Sequence, residues 1–122
     1  LLIVTGTDLI EIDRITNTLE TYGERFLKRI YTQHEIDFCN GKANSLAGRF
    51  AAKEAVMKLL GTGIRGVGWK EIEIHRKRGF KPTINLYCRA KNIANDKGIK
   101  NIEISITHSK TMALAVAVGE IK

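Results

Sequence analysis

The sequence predicts an α+β domain in which a mainly antiparallel sheet is packed against helices. Three observations carry that prediction. Hydrophobic residues recur at helical spacing through the first half of the chain, as in Ile12, Ile15, Leu19 and Tyr22. From Trp69 the period changes to two, in Trp69-Lys-Glu-Ile72-Glu-Ile74 and again in Ile102-Glu-Ile104-Ser-Ile106. Each alternating stretch is followed, after a short polar turn, by another strand-like run, which is the pattern of hairpins and not of parallel crossovers. With 122 residues, 43% of them hydrophobic, and a single proline, the chain suffices for one domain, 1–122, with a core of its own.

In chain order, Leu1 to Val4 is an apolar, partly β-branched run that suits a buried strand, closed by Gly6. Asp8 follows, either at the core edge or capping a turn. Asp13 to Tyr22 reads as an amphipathic helix stopped by Gly23. Glu24 to Ile30 reads as a second, with Phe26, Leu27 and Ile30 inward and Arg25, Lys28 and Arg29 outward. Thr32-Gln-His-Glu35 has capping-box spacing and opens a third, short helix that ends near Asn40-Gly41, with His34 as a surface residue. Asn44 or Ser45 can cap a fourth helix running to Leu60. Gly61, Gly63, Gly66 and Gly68 then mark a loop where backbone can approach a ligand; lacking GKS or GKT, it is not a P-loop. Trp69 to Ile74 and Pro82 to Leu86 form one hairpin around the basic turn Arg76 to Gly79. Arg89 to Asp96 is a last helix, and Ile102 to Ile106 with Met112 to Val118 is a second hairpin whose final strand suits a covered position.

Charge narrows the function. Twenty Lys and Arg against 13 Asp and Glu give a formal +7, so the surface should attract a nucleic acid, a phosphorylated small molecule or an acidic protein. Only seven aromatics accompany Trp69, with no interleaved basic and aromatic platform for stacking bases. A small basic domain that binds nucleic acid through its phosphates stays the alternative. Cys39 and Cys88 fit no metal or redox spacing and read as buried, reduced thiols of a cytoplasmic protein. No apolar run approaches the ~18 residues that span a membrane, and no stretch resembles a targeting segment.

The fourth helix contains a conflict. Ala52, Ala55, Val56 and Leu59 share one face, while Phe50, Glu54, Met57 and Lys58 cluster on the other. Glu54 and Lys58, four apart, are on spacing alone an ordinary surface pair of ~0.3–0.5 kcal/mol. Yet a carboxylate flanked by Phe50, Ala47 and Ala51 is poorly solvated, and it needs a cation, a hydrogen-bond donor or a metal beside it.

GTDLIEIDRI at Gly6 to Ile15 and RFAAKEAVMKLLGTG at Arg49 to Gly63 resemble the two signature motifs of the holo-acyl-carrier-protein synthase family, the small bacterial type of 4′-phosphopantetheinyl transferase. ISITHSKTMALAVAV extends the resemblance to the C-terminal strand. It implies a Mg²⁺-dependent homotrimer with sites between subunits, serving fatty acid biosynthesis. Such an enzyme moves phosphopantetheine from coenzyme A to a serine of an acyl carrier protein and leaves adenosine 3′,5′-bisphosphate. By the same resemblance, Asp8 and Glu54 hold the metal, and Lys58 faces the pyrophosphate. Arg49 and Lys53 line the nucleotide site, and Gly61, Thr62 and Gly63 lie around the adenosine. His108 and Ser109 meet a coenzyme A phosphate from the adjoining subunit. Glu54 is the implied base, directly or through a metal-bound water, with Asp8 the alternative. One departure is visible, Thr107 where a serine is expected. Because carrier proteins are acidic, Arg14, Arg25, Lys28 and Arg29 form the expected docking surface.

Overall fold

The computed structural model describes residues 1–121. The elements run β1 (Leu2–Glu11), α1 (Ile12–Tyr22), α2 (Glu24–Ile30), α3 (Gln33–Cys39), α4 (Ala43–Leu60) and the single turn α5 (Gly63–Gly66). Then come β2 (Ile72–His75), β3 (Thr83–Leu86), α6 (Cys88–Lys97), β4 (Ile99–His108) and β5 (Met112–Ile121). The fold class is the α+β one expected, with every strand pair antiparallel, but the strands divide into two sheets. One has the order β1-β5-β4; the other is the hairpin β2-β3.

Helix α4 is the centre. It is apolar or alanine around most of its circumference, a pattern that belongs to a helix covered on all sides. Leu46, Ala51, Ala52, Ala55, Val56, Met57 and Leu60 are almost entirely shielded from water. One side lies across the three-stranded sheet, on the small residues Ala113, Ala115 and Ala117 of β5. Small side chains on both surfaces let helix and sheet approach closely. The limit is reached at Gly6, where a Cβ would stand 1.9 Å from the Ala55 carbonyl oxygen. On its other sides α4 meets α1, α3 and β2, with Ile72 and Ile74 completing the core. Burying each large aliphatic side chain contributes about 1.5–3 kcal/mol.

Several expectations are corrected. Gly6 does not close the first strand: β1 continues through it to Glu11, so Asp8 lies within a ladder, opposite Ala115, and not in a turn. Leu1, Leu2 and Ile3 are not buried but 57–80% exposed, and of the two thiols expected inside only Cys39 is buried, Cys88 being exposed. Asn44 and Ser45 do not cap α4; the boundary residue is Lys42, and Asn44 Oδ1 accepts instead from the Ser45 amide. Trp69 to Glu71 is a 3₁₀ turn, so the alternating stretch yields a strand only from Ile72. The Thr32 capping box forms as expected, with the Glu35 carboxylate accepting from the Thr32 amide at 2.8 Å.

Candidate active site

Asp8 and Glu54, 46 residues apart in sequence, meet where β1 crosses α4. The register places Asp8 on the sheet face shared by Gly6 and Ile10, the face on which α4 lies. Contact at Gly6 then brings the next same-face residue, Asp8, against the turn of α4 that holds Glu54. Burial raises the pKa of Glu54, and the charge of Asp8 and a hydrogen bond with it raise it further, while Lys58 and Arg14 act in the opposite sense. Lys58 does not pair with Glu54 as spacing suggested. Its ammonium donates to the Thr7 carbonyl at 2.8 Å and to Asp8 Oδ1 at 3.3 Å, across to β1.

When both carboxyls are ionised, Asp8 and Glu54 carry two negative charges side by side, of which Lys58, bonded to Asp8, offsets one. A divalent cation of hard character would relieve them, and two carboxylates plus waters and phosphate oxygens are a donor set suited to Mg²⁺. Among the described residues no cluster of three or more His, Cys, Asp or Glu side chains competes for it.

Arg49 and Lys53, both expected at the nucleotide, part company. Lys53 is fully buried and spends all three donors inside the protein, on Glu35 Oε1 at 2.8 Å, the Trp69 carbonyl at 3.0 Å and the Ile72 carbonyl at 2.6 Å. In this arrangement it has no donor left for a ligand, which corrects the expectation. Arg49 is different. Its guanidinium lies 4.8 Å over the Phe38 ring and donates from Nη1 to the Ser45 carbonyl, but Nη2 is buried without a partner. Arg76 Nε, from the basic turn after β2, is likewise buried and unpartnered. Burial first, and the nearby charge of Arg76, hold the Arg49 guanidinium below its ordinary pKa, with Cys39 acting in the opposite sense. Two buried guanidinium donors without a partner, on residues near enough to feel each other's charge, are what an anionic ligand would satisfy.

Gly61 takes a positive φ of 78° as the stop of α4, and Thr62 donates its amide back to the Met57 carbonyl. Gly63 also has positive φ and opens α5. Sequence reasoning missed Lys97, whose ammonium caps the Leu60 carbonyl at 2.6 Å and adds a cation beside this loop. His108 and Ser109 sit at the β4–β5 turn, where Ser109 Oγ accepts from the Thr111 and Met112 amides and His108 stays exposed beside a shallow depression of about 230 Å³. No hydrogen bond or ion pair among the described residues joins them to Asp8, Glu54 or Lys58 of the same chain.

Of the expected docking residues, Arg14, Arg25, Lys28 and Arg29 are all exposed, and Lys28 reaches back loosely toward Glu24 at 3.8 Å. Arg25 and Arg29 rim a cavity of about 530 Å³ whose apolar wall includes Phe26, Phe50, Ile64 and Trp69. The Phe50 and Trp69 rings stack at 4.8 Å. This apolar floor was not read from the sequence, because its members come from α2, α4, α5 and the 3₁₀ turn.

The geometry therefore joins a carboxylate pair for a hard cation, a lysine beside it, open guanidinium donors and a basic-rimmed apolar pocket. That combination suits a transferase that handles phosphate groups. A family model of the 4′-phosphopantetheinyl transferase superfamily matches residues 5–117, and the chain belongs to that superfamily. Within it the chain sides with the holo-[acyl-carrier-protein] synthases. The synthase of Halothermothrix orenii is 42% identical over 118 residues, covering 94% of each chain. That of Solibacter usitatus is 46% identical over 124 residues, covering 98% of this chain and 99% of the relative. Among solved structures, the Helicobacter pylori holo-[acyl-carrier-protein] synthase in complex with coenzyme A superposes with a TM-score of 0.86 at 32% identity, covering 95% of this chain and 99% of the other.

Proposed function

We propose that this enzyme transfers 4′-phosphopantetheine from coenzyme A to a serine of an acidic apo acyl carrier protein, releasing adenosine 3′,5′-bisphosphate and supplying carriers for fatty acid synthesis. The observation that supports it most is the convergence of Asp8, Glu54 and Lys58 at the β1–α4 crossing. Asp8 and Glu54 would hold Mg²⁺, which supplies neutralisation of the pyrophosphate charge when bound. The serine hydroxyl attacks the phosphorus that bears pantetheine, and the bond from that phosphorus to the bisphosphate leaving group breaks. Glu54 takes the serine proton. Asp8 is engaged by Lys58, which leaves Glu54 the freer carboxylate for that proton. Lys58, more than half exposed, faces the charge developing on the leaving group.

The open N–H groups of Arg49 and Arg76 suit the 3′-phosphate of coenzyme A, and the turn at Gly61-Thr62-Gly63 leaves room for its adenosine. The outer face of the β1-β5-β4 sheet exposes Ile3, Leu9, Leu114 and Val118, which a second and third copy would cover in a homotrimer. In that assembly His108 and Ser109 serve a neighbour's site, consistent with their lack of a bond to the carboxylates of their own chain. The carrier docks on the Arg14, Arg25, Lys28 and Arg29 face, with an apolar side chain in the cavity that Phe26 and Trp69 line.

Mass spectrometry tests the reading directly. An apo carrier protein incubated with this protein, coenzyme A and Mg²⁺ should gain one phosphopantetheine, and Asp8→Ala or Glu54→Ala should abolish the gain while circular dichroism stays unchanged. An unmodified carrier, or full transfer by either variant at limiting Mg²⁺, would overturn it.

A further inference from the structure

Lys53 lies next to Glu54 in sequence, inside the motif that carries the site, yet all three of its donors are spent within the protein. Its partner Glu35 is equally buried and fully used: Oε1 accepts from Lys53 and from the Thr32 amide at 2.8 Å, and Oε2 from the Ile74 amide at 2.7 Å. A buried ion pair is weak support for stability, because apolar residues of similar volume often do as well. Its value has to be sought in geometry. The two carbonyls that Lys53 grips, those of Trp69 and Ile72, bracket the 3₁₀ turn Trp69–Glu71, a segment that no ladder fixes. Three residues earlier on α4, Phe50 stacks on the Trp69 ring. Helix α4 thus holds Trp69 twice, by its backbone through Lys53 and by its ring through Phe50.

We propose that Lys53 and Glu35 are positioning residues for the carrier protein: by fixing the Trp69–Ile72 segment against α4 they place the Trp69 ring in the wall of the docking cavity. This rests on reading that cavity as the carrier's dock. Neither residue touches substrate, and both act through Trp69. The role differs from the coenzyme A contact that the motif implied for Lys53, and the two roles predict opposite kinetics.

Steady-state kinetics in both substrates decide between them. Lys53→Met should raise the carrier KM roughly tenfold, with the coenzyme A KM within about twofold of the parent. Trp69→Ala should give the same signature, and Lys53→Met placed on top of it should add less than about twofold, because one residue acts through the other. A raised coenzyme A KM with an unchanged carrier KM in Lys53→Met would overturn the proposal, as would a Trp69→Ala variant with the parent carrier KM. If Lys53→Met does not fold, Glu35→Gln, which removes the charge of the same pair, is measured in its place and judged by the same outcomes. Trp69 is the one tryptophan in the sequence, so its fluorescence gives a readout free of the transfer reaction. Acrylamide quenching should rise several-fold in folded Lys53→Met, and quenching equal to the parent's would refute the positioning. Should the parent protein transfer nothing, the functional reading fails, while the fluorescence still tests the placement of Trp69.

Discussion

Replacing Gly6 by alanine should damage the active site without touching any of its residues. The added Cβ would meet three backbone atoms of α4, the Ala55 oxygen at 1.9 Å, the Leu59 nitrogen at 2.8 Å and the Ala55 carbonyl carbon at 2.9 Å. No side chain can swing aside, so strand and helix must part. The shortest of these contacts falls about 1.1 Å below the 3.0 Å under which real Cβ atoms are essentially never found. Asp8 is the next same-face residue on β1 and Glu54 neighbours Ala55, so the separation opens directly between the two carboxylates. Overpacking of this kind costs about 1–3 kcal/mol, which for a domain of this size lowers Tm by roughly 4–12 °C. A displacement near 1 Å at reacting groups can cost up to about 10²-fold in kcat. Thermal unfolding by circular dichroism and single-turnover transfer would measure the two effects together. A Gly6→Ala protein with the parent's Tm and rate would show that the close approach of β1 and α4 is not what holds the carboxylates together.

Further outcomes follow from the same geometry. A carboxyl whose folded pKa is raised contributes stability below its unfolded pKa and loses it as pH rises through the folded one. Metal-free protein should therefore lose Glu54's contribution as pH rises from the ordinary carboxylate range through the raised folded pKa, and Mg²⁺ should raise Tm above that window and not below it. Scanning calorimetry would show this, and an equal Mg²⁺ effect on both sides would contradict it. Asp8→Asn removes a charge that lifts Glu54's pKa, so it should flatten this pH dependence. Neutralising Arg25 and Arg29 should raise the carrier KM several-fold at low salt and weaken its salt dependence, leaving coenzyme A unaffected; an unchanged salt dependence would move the dock elsewhere. Leu9→Glu with Leu114→Glu should reduce the sedimenting species from a trimer to 13.6 kDa, and a parent protein that already sediments at 13.6 kDa would refute the trimer.

What could be read from the sequence depended on whether a signal was local. Helices α1 to α3 announced themselves through periodicity, Gly23 and the Thr32 capping box, all decided within a few residues. Asp8 and Glu54 were legible as a pair only through their motifs, since their meeting depends on a crossing of strand and helix. Gly6 misled because a glycine within a strand reads as a stop, when its actual cause is the α4 backbone lying against it. Lys53 misled for a related reason. Its partner Glu35 already had a visible local task in the capping box, and nothing in the sequence showed that its carboxylate also serves a lysine 18 residues away and the Ile74 amide. The apolar floor of the cavity was hidden because Phe26, Phe50, Ile64 and Trp69 belong to four separate segments.

The pairing of β1 with β5 also sets an order of events during synthesis. Among the described residues, the ladder bonds of β1 go to β5 alone, and roughly a hundred residues separate the end of one from the start of the other. At ordinary translation rates Asp8 waits about 5 to 20 s, on a strand with nothing to zip against, before its partner Ala115 exists. Glu54 is made well before that. The strand that presents Asp8 to α4 is therefore held in a ladder only once the last strand closes the sheet.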